Sequence, residues 1–168
     1  MTELETDRLL LRPYSMDDLD FFASLWADPE VVRFIGEGVT RNRNEAEERL
    51  KRIIAGYESG YGLLAAWYKA EKRLAGHVGL LTQKVDGENE IEIGYWLARN
   101  FWGEGLATEA ALALRNYAFT ESGLSRIISL IQPGNTASIA VAERVGMKFE
   151  RNSEFHGKWV RVYSLYRE

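Results

Sequence analysis

A chain of 168 residues, 46% hydrophobic, 27% charged and 12% aromatic, has the balance of a globular protein with a well-filled core, which excludes a disordered chain. It contains no cysteine, so disulfides, thiolate metal sites and a cysteine nucleophile are excluded together. A net charge of −4 argues against a nucleic-acid partner, no apolar run is long enough to span a bilayer, and the two histidines, His77 and His156, lack the spacing of a metal pair.

The opening "MTELETDRLLLRP" is charged and does not read as a signal peptide, so a cytoplasmic setting is expected. "RLLLRPY" reads as a strand ending at Pro13. "SMDDLDFFASLWADPE" reads as a helix with Ser15 as N-cap and with Leu19, Phe22 and Trp26 at helical spacing, interrupted by Pro29. "RNRNEAEERLKRIIAGYESG" reads as a second helix ending near Gly60, its charges forming a solvated face. "YGLLAAWY" and "RLAGHVGLLTQK" follow as two strands with a turn at Lys69 to Lys72. "NEIEIGYWLA" is the next strand: Glu90, Glu92 and Trp96 share one face, and Ile91, Ile93 and Tyr95 the other. Gly94 within it suggests a bulge or a close backbone approach.

Residues from Gly105 to Phe119 read as a helix with Leu106, Ala110, Ala113, Leu114 and Tyr117 on one stripe. "SRIISLIQ" is a buried strand, "PGNTASIAVAERVG" a short helix stopped by Gly146, and the last segment a hairpin turning near His156 and Gly157. Strand, helix and strand between Glu90 and Ile131 form a βαβ unit, whose two strands should be parallel; the flanking strands should be antiparallel. The expected fold class is therefore α/β: one mixed sheet with helices packed on it, in a single domain over residues 1–168.

Gly103 and Gly105 stand between the parallel strand and its helix, where ligands settle in open α/β sheets. A helix N-terminus carries unpaired N–H groups and partial positive charge, and residues without a Cβ let a ligand approach them. The combination suits a phosphate or diphosphate; a plain tight turn is the other reading. A P-loop would need Gly-Lys-Ser/Thr, which Leu106, Ala107 and Thr108 do not supply. A dinucleotide fingerprint would need a small third residue where Thr108 stands and an acid closing the next strand, which ends in Gln132.

Three blocks resemble the GNAT acetyltransferases, in particular the branch of ribosomal-protein alanine N-acetyltransferases and their small-molecule relatives. They are "ETDRLLLRPYSMDDLDFFASLWADPEVVRFI", "IGYWLARNFWGEGLATEA" and "NTASIAVAERVGMKFE", in family order and covering nearly the whole chain. The resemblance implies a mostly antiparallel sheet with a central parallel pair splayed to admit coenzyme A, helices on both faces, and acetyl-CoA as co-substrate without a metal. The family's diphosphate loop begins with Arg or Gln, then two variable residues, Gly, one variable residue, and Gly or Ala. Here that window is Trp102 to Ala107: Gly105 and Ala107 fit, and Trp102 replaces the polar residue. By resemblance the backbone of Trp102, Gly103, Glu104, Gly105, Leu106, Ala107 and Thr108 holds the diphosphate. Backbone groups of Trp96 and Leu97 hold the pantetheine next to a bulge at Gly94, and Asn135, also a natural helix N-cap, bonds the cofactor.

The implied reaction is acetyl transfer to a primary amine: a protein or peptide N-terminal α-amine, or alternatively an antibiotic, polyamine or amino acid. A non-enzymatic module that binds coenzyme A is the third reading. Only a neutral amine attacks. An α-amine is neutral in roughly one molecule in ten at pH 7, a lysine amine in about one in 2,500. A modest base suffices, and Glu92 is the candidate, with Glu90 second; a solvent-facing acidic strand is the alternative reading of both. Many relatives carry a Tyr acid where this chain has Ala142, which leaves Ser138 or water to protonate the leaving thiolate. Trp26, Phe34, Tyr61, Phe155 and Trp159 are candidates to line the acceptor side or to fill the core. No nucleic acid or membrane partner is expected, and a homodimer is compatible with the resemblance.

Overall fold

The structure, a computed structural model, describes residues 2–168. The chain opens with strands β1 (Leu4–Glu5) and β2 (Leu9–Pro13). The Ser15 N–H then donates to Asp18 Oδ2 (2.9 Å), starting a 3₁₀ turn that feeds helix α1 (Leu19–Ala27). Pro29 does more than interrupt this helix. It opens a short helix α2 (Pro29–Val32) capped by Asp28, because a residue lacking an N–H loses nothing at the first helical position. Asn42 and Glu45 cap each other's backbone at the start of α3 (Arg43–Gly56), which buries Ala46 and Leu50 and leaves its charges outside.

Strands β3 (Gly62–Tyr68), β4 (Arg73–Val85) and β5 (Glu88–Leu97) run as an antiparallel meander. Helix α4 (Leu106–Thr120) carries the chain across to β6 (Arg126–Ile131), parallel to β5. Helix α5 (Thr136–Val145) ends at Gly146 with φ +102°, and the hairpin β7 (Lys148–Phe155) and β8 (Lys158–Tyr166) closes the chain. The turn is made by His156 and Gly157, both at positive φ, as a tight hairpin requires.

The eight strands form one sheet in the order β1-β2-β3-β4-β5-β6-β8-β7, antiparallel except at β5–β6. This is the mixed α/β sheet with a central parallel pair that the sequence implies. The main core lies under α4 and α5, where Leu106, Ala110, Ala111 and Leu114 meet Leu64, Val78, Ile93 and Ile127. A second core on the opposite face packs Phe22 and Trp26 of α1 and Leu50 of α3 against Ala65, Leu74 and Trp96. Burying such side chains stabilises each by about 1.5–3 kcal/mol. Among the described residues, no helix is long and apolar enough to cross a membrane.

Two long-range features shape the region between the cores. The sheet curls until the β4–β5 turn meets β7: Asp86 accepts from the Ser153 hydroxyl (2.7 Å) and from Arg151 Nε (3.0 Å). The segment between α2 and α3 crosses toward β6 and the last hairpin. There Gln132 Nε2 donates to the Gly36 carbonyl (2.8 Å), and Lys158 pairs with Glu37 (3.3 Å).

Candidate active site

Backbone pairing between β5 and β6 is confined to Glu92 opposite Ile128. One residue further on, a side chain takes over the bridging role: the Ser129 hydroxyl donates to the Ile93 carbonyl (2.9 Å). The Tyr95 hydroxyl then reaches past the strands to α5 and donates to the Ser138 carbonyl (2.7 Å). A parallel ladder that stops after one pair leaves two diverging strands, and divergence of adjacent strands is what admits an extended ligand between them.

The bulge expected at Gly94 is absent. Its register with β4 is unbroken, Gly79 opposite Gly94 between Val78–Tyr95 and Leu80–Ile93. Nor is there a close backbone approach, since a Cβ at Gly94 would meet only Leu81 Cδ1 at 3.5 Å. The divergence comes from the unpaired β6 side. Gly94 instead leaves space on the sheet face that carries Glu92 and Trp96.

Glu92 and Glu90 share that face, as the alternation implies, but their surroundings differ. Glu90 accepts from Arg126 Nε (3.0 Å) and Nη2 (2.9 Å), and Arg126 also holds Glu150 (2.8 Å). Among the described residues Glu92 has no cation beside it; Gln83 Nε2 donates to its Oε2 (2.8 Å). Although it keeps some accessible surface, it lies deep among sheet atoms. Burial raises its carboxyl to about 7, against hydrogen bonds from Gln83 and the Leu130 backbone that pull the other way. Ile128 in register beside it and Leu130 belong to a small apolar cluster with Val85, Val162 and Phe155. Such a carboxyl in a largely apolar recess is able to take up a proton near neutrality, as a general base must.

The loop before α4 has both glycines in the left-handed region, Gly103 at φ +79° and Gly105 at φ +78°. A Cβ at Gly103 would meet nothing and one at Gly105 only Arg8 Nη2 at 3.6 Å, so the backbone turn, not crowding, demands glycine. Gly105 occupies the N-cap position of α4 and no side chain caps the helix, in contrast to α3 and α5, which Asn42 and Asn135 cap. The first amides of α4 are therefore available to an anion. Thr108 Oγ1 in the same turn is buried without a hydrogen-bond partner among the described residues. An uncapped helix start, two left-handed glycines and an orphaned hydroxyl fit the diphosphate of coenzyme A. Trp102, half exposed, takes the place of the pattern's polar residue in another way: its Nε1 donates to the Leu97 carbonyl (2.9 Å) and pins the loop to the end of β5.

Asn135 accepts from the Ser138 N–H (3.3 Å) and keeps its amide NH₂ for other partners. Ser138 sits in the first turn of α5, on the Tyr95 side of β5 and so on the opposite side from Glu92. Among the aromatic candidates, Trp26 is buried against Trp96 (4.9 Å between ring centroids) and Tyr61 packs on the main core. Phe34 lies against Gly134 on the crossing segment, Phe155 belongs to the apolar cluster near Glu92, and Trp159 is 66% exposed on the last hairpin. Sequence reasoning passed over Ser129, Tyr95 and Gln83. The face alternation of β5 gave a signal for Tyr95 alone.

The chain matches the family model described as acetyltransferase (GNAT) domain over residues 8–148. It is 35% identical over 168 residues to the uncharacterized protein YkkB of Bacillus subtilis, covering 96% of this chain and 94% of that one. The crystal structure of a GNAT-family acetyltransferase from Bacillus anthracis superposes with a TM-score of 0.83 at 27% identity, covering 98% of each chain. The ribosomal L7/L12 α-N-protein acetyltransferase RimL, solved with coenzyme A, shares the fold with a TM-score of 0.82 at 18% identity over 98% of each chain.

Proposed function

The chain belongs to the GNAT acetyltransferase family and is an acetyl-CoA-dependent N-acetyltransferase; from that premise we propose that its acceptor is the α-amine of a protein or peptide N-terminus and that Glu92 is the base. The observation that carries this reading is the Glu92 carboxyl, raised to about 7 by burial with no cation beside it among the described residues. Such a base lies about one unit below an α-amine and more than three below a lysine amine, so proton removal from the former is nearly level. The fold shared with RimL, whose acceptor is a ribosomal protein, supports the same class.

Acetyl-CoA supplies an activated acyl group when bound. The chain supplies the rest, within one domain spanning the described residues. The amides from Gly103 to Thr108 hold the diphosphate at the uncapped start of α4. Backbone groups of Trp96 and Leu97 and the free amide of Asn135 orient the remainder of the donor. Glu92 takes the ammonium proton on one side of the parting strands, and the Ser138 hydroxyl donates toward the leaving sulfur on the other. Because that sulfur belongs to a thiol with an ordinary pKa near 8.5, Ser138 needs only to hydrogen-bond. The apolar cluster around Ile128 and Leu130 keeps water away from Glu92 and strengthens its interaction with the amine.

Thiol release measured over a panel of acceptors tests the proposal. Peptides with a free α-amine should turn over near neutral pH, whereas the same peptides with a blocked N-terminus and an internal lysine should not. Turnover confined to polyamines or to small amines would overturn the peptide reading.

A further inference from the structure

Arg8 lies in the turn between β1 and β2, and the chemistry above makes no use of it. Its backbone N–H donates to Glu109 Oε1 (2.8 Å) and its Nε to Glu109 Oε2 (2.6 Å). The Thr6 hydroxyl donates to the same Oε1 (2.8 Å), so both carboxylate oxygens of Glu109 are turned toward β1 and β2. Burial raises the Glu109 carboxyl, but the bonds from Arg8 and Thr6 outweigh it and hold the group below its usual range, fully ionised at neutral pH. The turn is itself held by Lys69, whose Nζ donates to the Thr6 carbonyl (2.7 Å) and to Glu5 (2.6 Å). The guanidinium is thus fixed along one edge, and its other edge faces the glycine loop. Nη1 donates to the Glu104 carbonyl (2.8 Å), 96 residues along the chain, and Nη2 lies 3.6 Å from where a Cβ at Gly105 would sit. Nη2 makes no hydrogen bond among the described residues, and the side chain is 41% exposed, open to a ligand.

The loop pattern opens with Arg or Gln in the family and with Trp102 here. A diphosphate seated on main-chain amides alone has donors but no cationic side chain from the loop. We propose that Arg8 supplies that cation: it holds the Gly103–Gly105 loop from behind through Glu104 and presents Nη2 to the diphosphate of coenzyme A. The inference rests on the reading that the start of α4 binds this diphosphate. A fixed fork suits the role because its rigidly spaced nitrogens grip a backbone carbonyl and an anion in set directions, whereas a lysine offers a single freely rotating donor centre.

Titration calorimetry on the full chain separates the possibilities, with coenzyme A and pantetheine, which lacks the diphosphate, as probes, alongside competition by inorganic pyrophosphate. Arg8→Gln should weaken coenzyme A by about 10- to 100-fold, the worth of one or two hydrogen bonds to a charged group. Pantetheine affinity should stay within about twofold, because none of these contacts reaches it. Arg8→Lys, which keeps the charge, should fall between Arg8→Gln and the wild type, and it carries the test if Arg8→Gln does not fold. Unchanged coenzyme A affinity in both variants overturns the proposal, as does an equal loss of coenzyme A and pantetheine, which would mark a fold defect. Failure of pyrophosphate to compete in the wild type would instead overturn the diphosphate reading itself.

Discussion

The outer end of β5, around Glu90, and its middle, around Glu92, present the same side chain on the same face two residues apart. At the outer end the carboxylate is neutralised by Arg126, in a cluster that also draws in Glu150 and the Tyr166 hydroxyl (2.9 Å from Arg126 Nη1). In the middle the only side chain bonded to the carboxylate among the described residues is an amide, and apolar residues of β6 stand beside it. The carboxylate paired with Arg126 ties β5 to β6 and so serves the structure. A lone buried one holds its proton until the pH approaches neutrality, and so it can exchange that proton with a substrate. Residue type names the possible bases in this protein; the neighbouring strand gives them different surroundings, on which the proposal for Glu92 rests.

The largest effect expected along this contrast is from Glu92→Gln, which should lower kcat by about 10²- to 10⁴-fold in steady-state thiol-release assays. It should also abolish the rise of activity with pH through about 7 that is expected of the wild type as Glu92 loses its proton. Stability moves the other way. A carboxyl whose folded pKa lies above its unfolded one contributes stability below about 4.5 that is lost as the pH rises through about 7. At pH 8 the Glu92→Gln protein should therefore be more stable than the wild type by about 3 kcal/mol in urea unfolding, and the two should converge near pH 4.

Installing a cation tests whether the missing charge partner is what distinguishes the two sites. Gln83→Lys places an ammonium beside Glu92 and should move the acid limb of the pH–rate profile down by about 1–3 units. An unmoved limb would assign that limb to another group. The smallest effect on turnover is expected from Glu90→Gln, with kcat within about threefold of wild type and stability lower by about 1 kcal/mol, since Arg126 keeps Glu150. A loss of activity as large as that of Glu92→Gln would transfer the role of base to Glu90.

Much of this was legible in the sequence because it is local. The alternation in "NEIEIGYWLA" places Glu90, Glu92 and Trp96 on one face, and the short connections around α4 require a parallel pair. His156-Gly157 marks the final hairpin, and Gly103 and Gly105 mark the uncapped helix start. What stayed hidden depends on contacts between distant parts of the chain. Arg126 is 36 residues from Glu90, so no window of sequence separates the two carboxylates. The meaning of Gly94 depends on its register with β4 and on where β6 leaves β5, neither of which a glycine announces. The turn between β4 and β5 looks like any Asp-Gly hairpin until Asp86 is seen gripping Ser153, 67 residues later. Pro29 shows a different ambiguity: the same ring that ends one helix is well suited to begin the next.

The anion seat proposed at the start of α4 draws most of its donors from the main chain, while the side chain of Glu104 projects into solvent. The side chain at Glu104 is then free to change, since mutation there leaves every peptide N–H in place so long as both glycines keep their left-handed turn. Coenzyme recognition is thereby uncoupled from surface chemistry, and selection can remodel the exterior for new neighbours without disturbing how the donor is gripped.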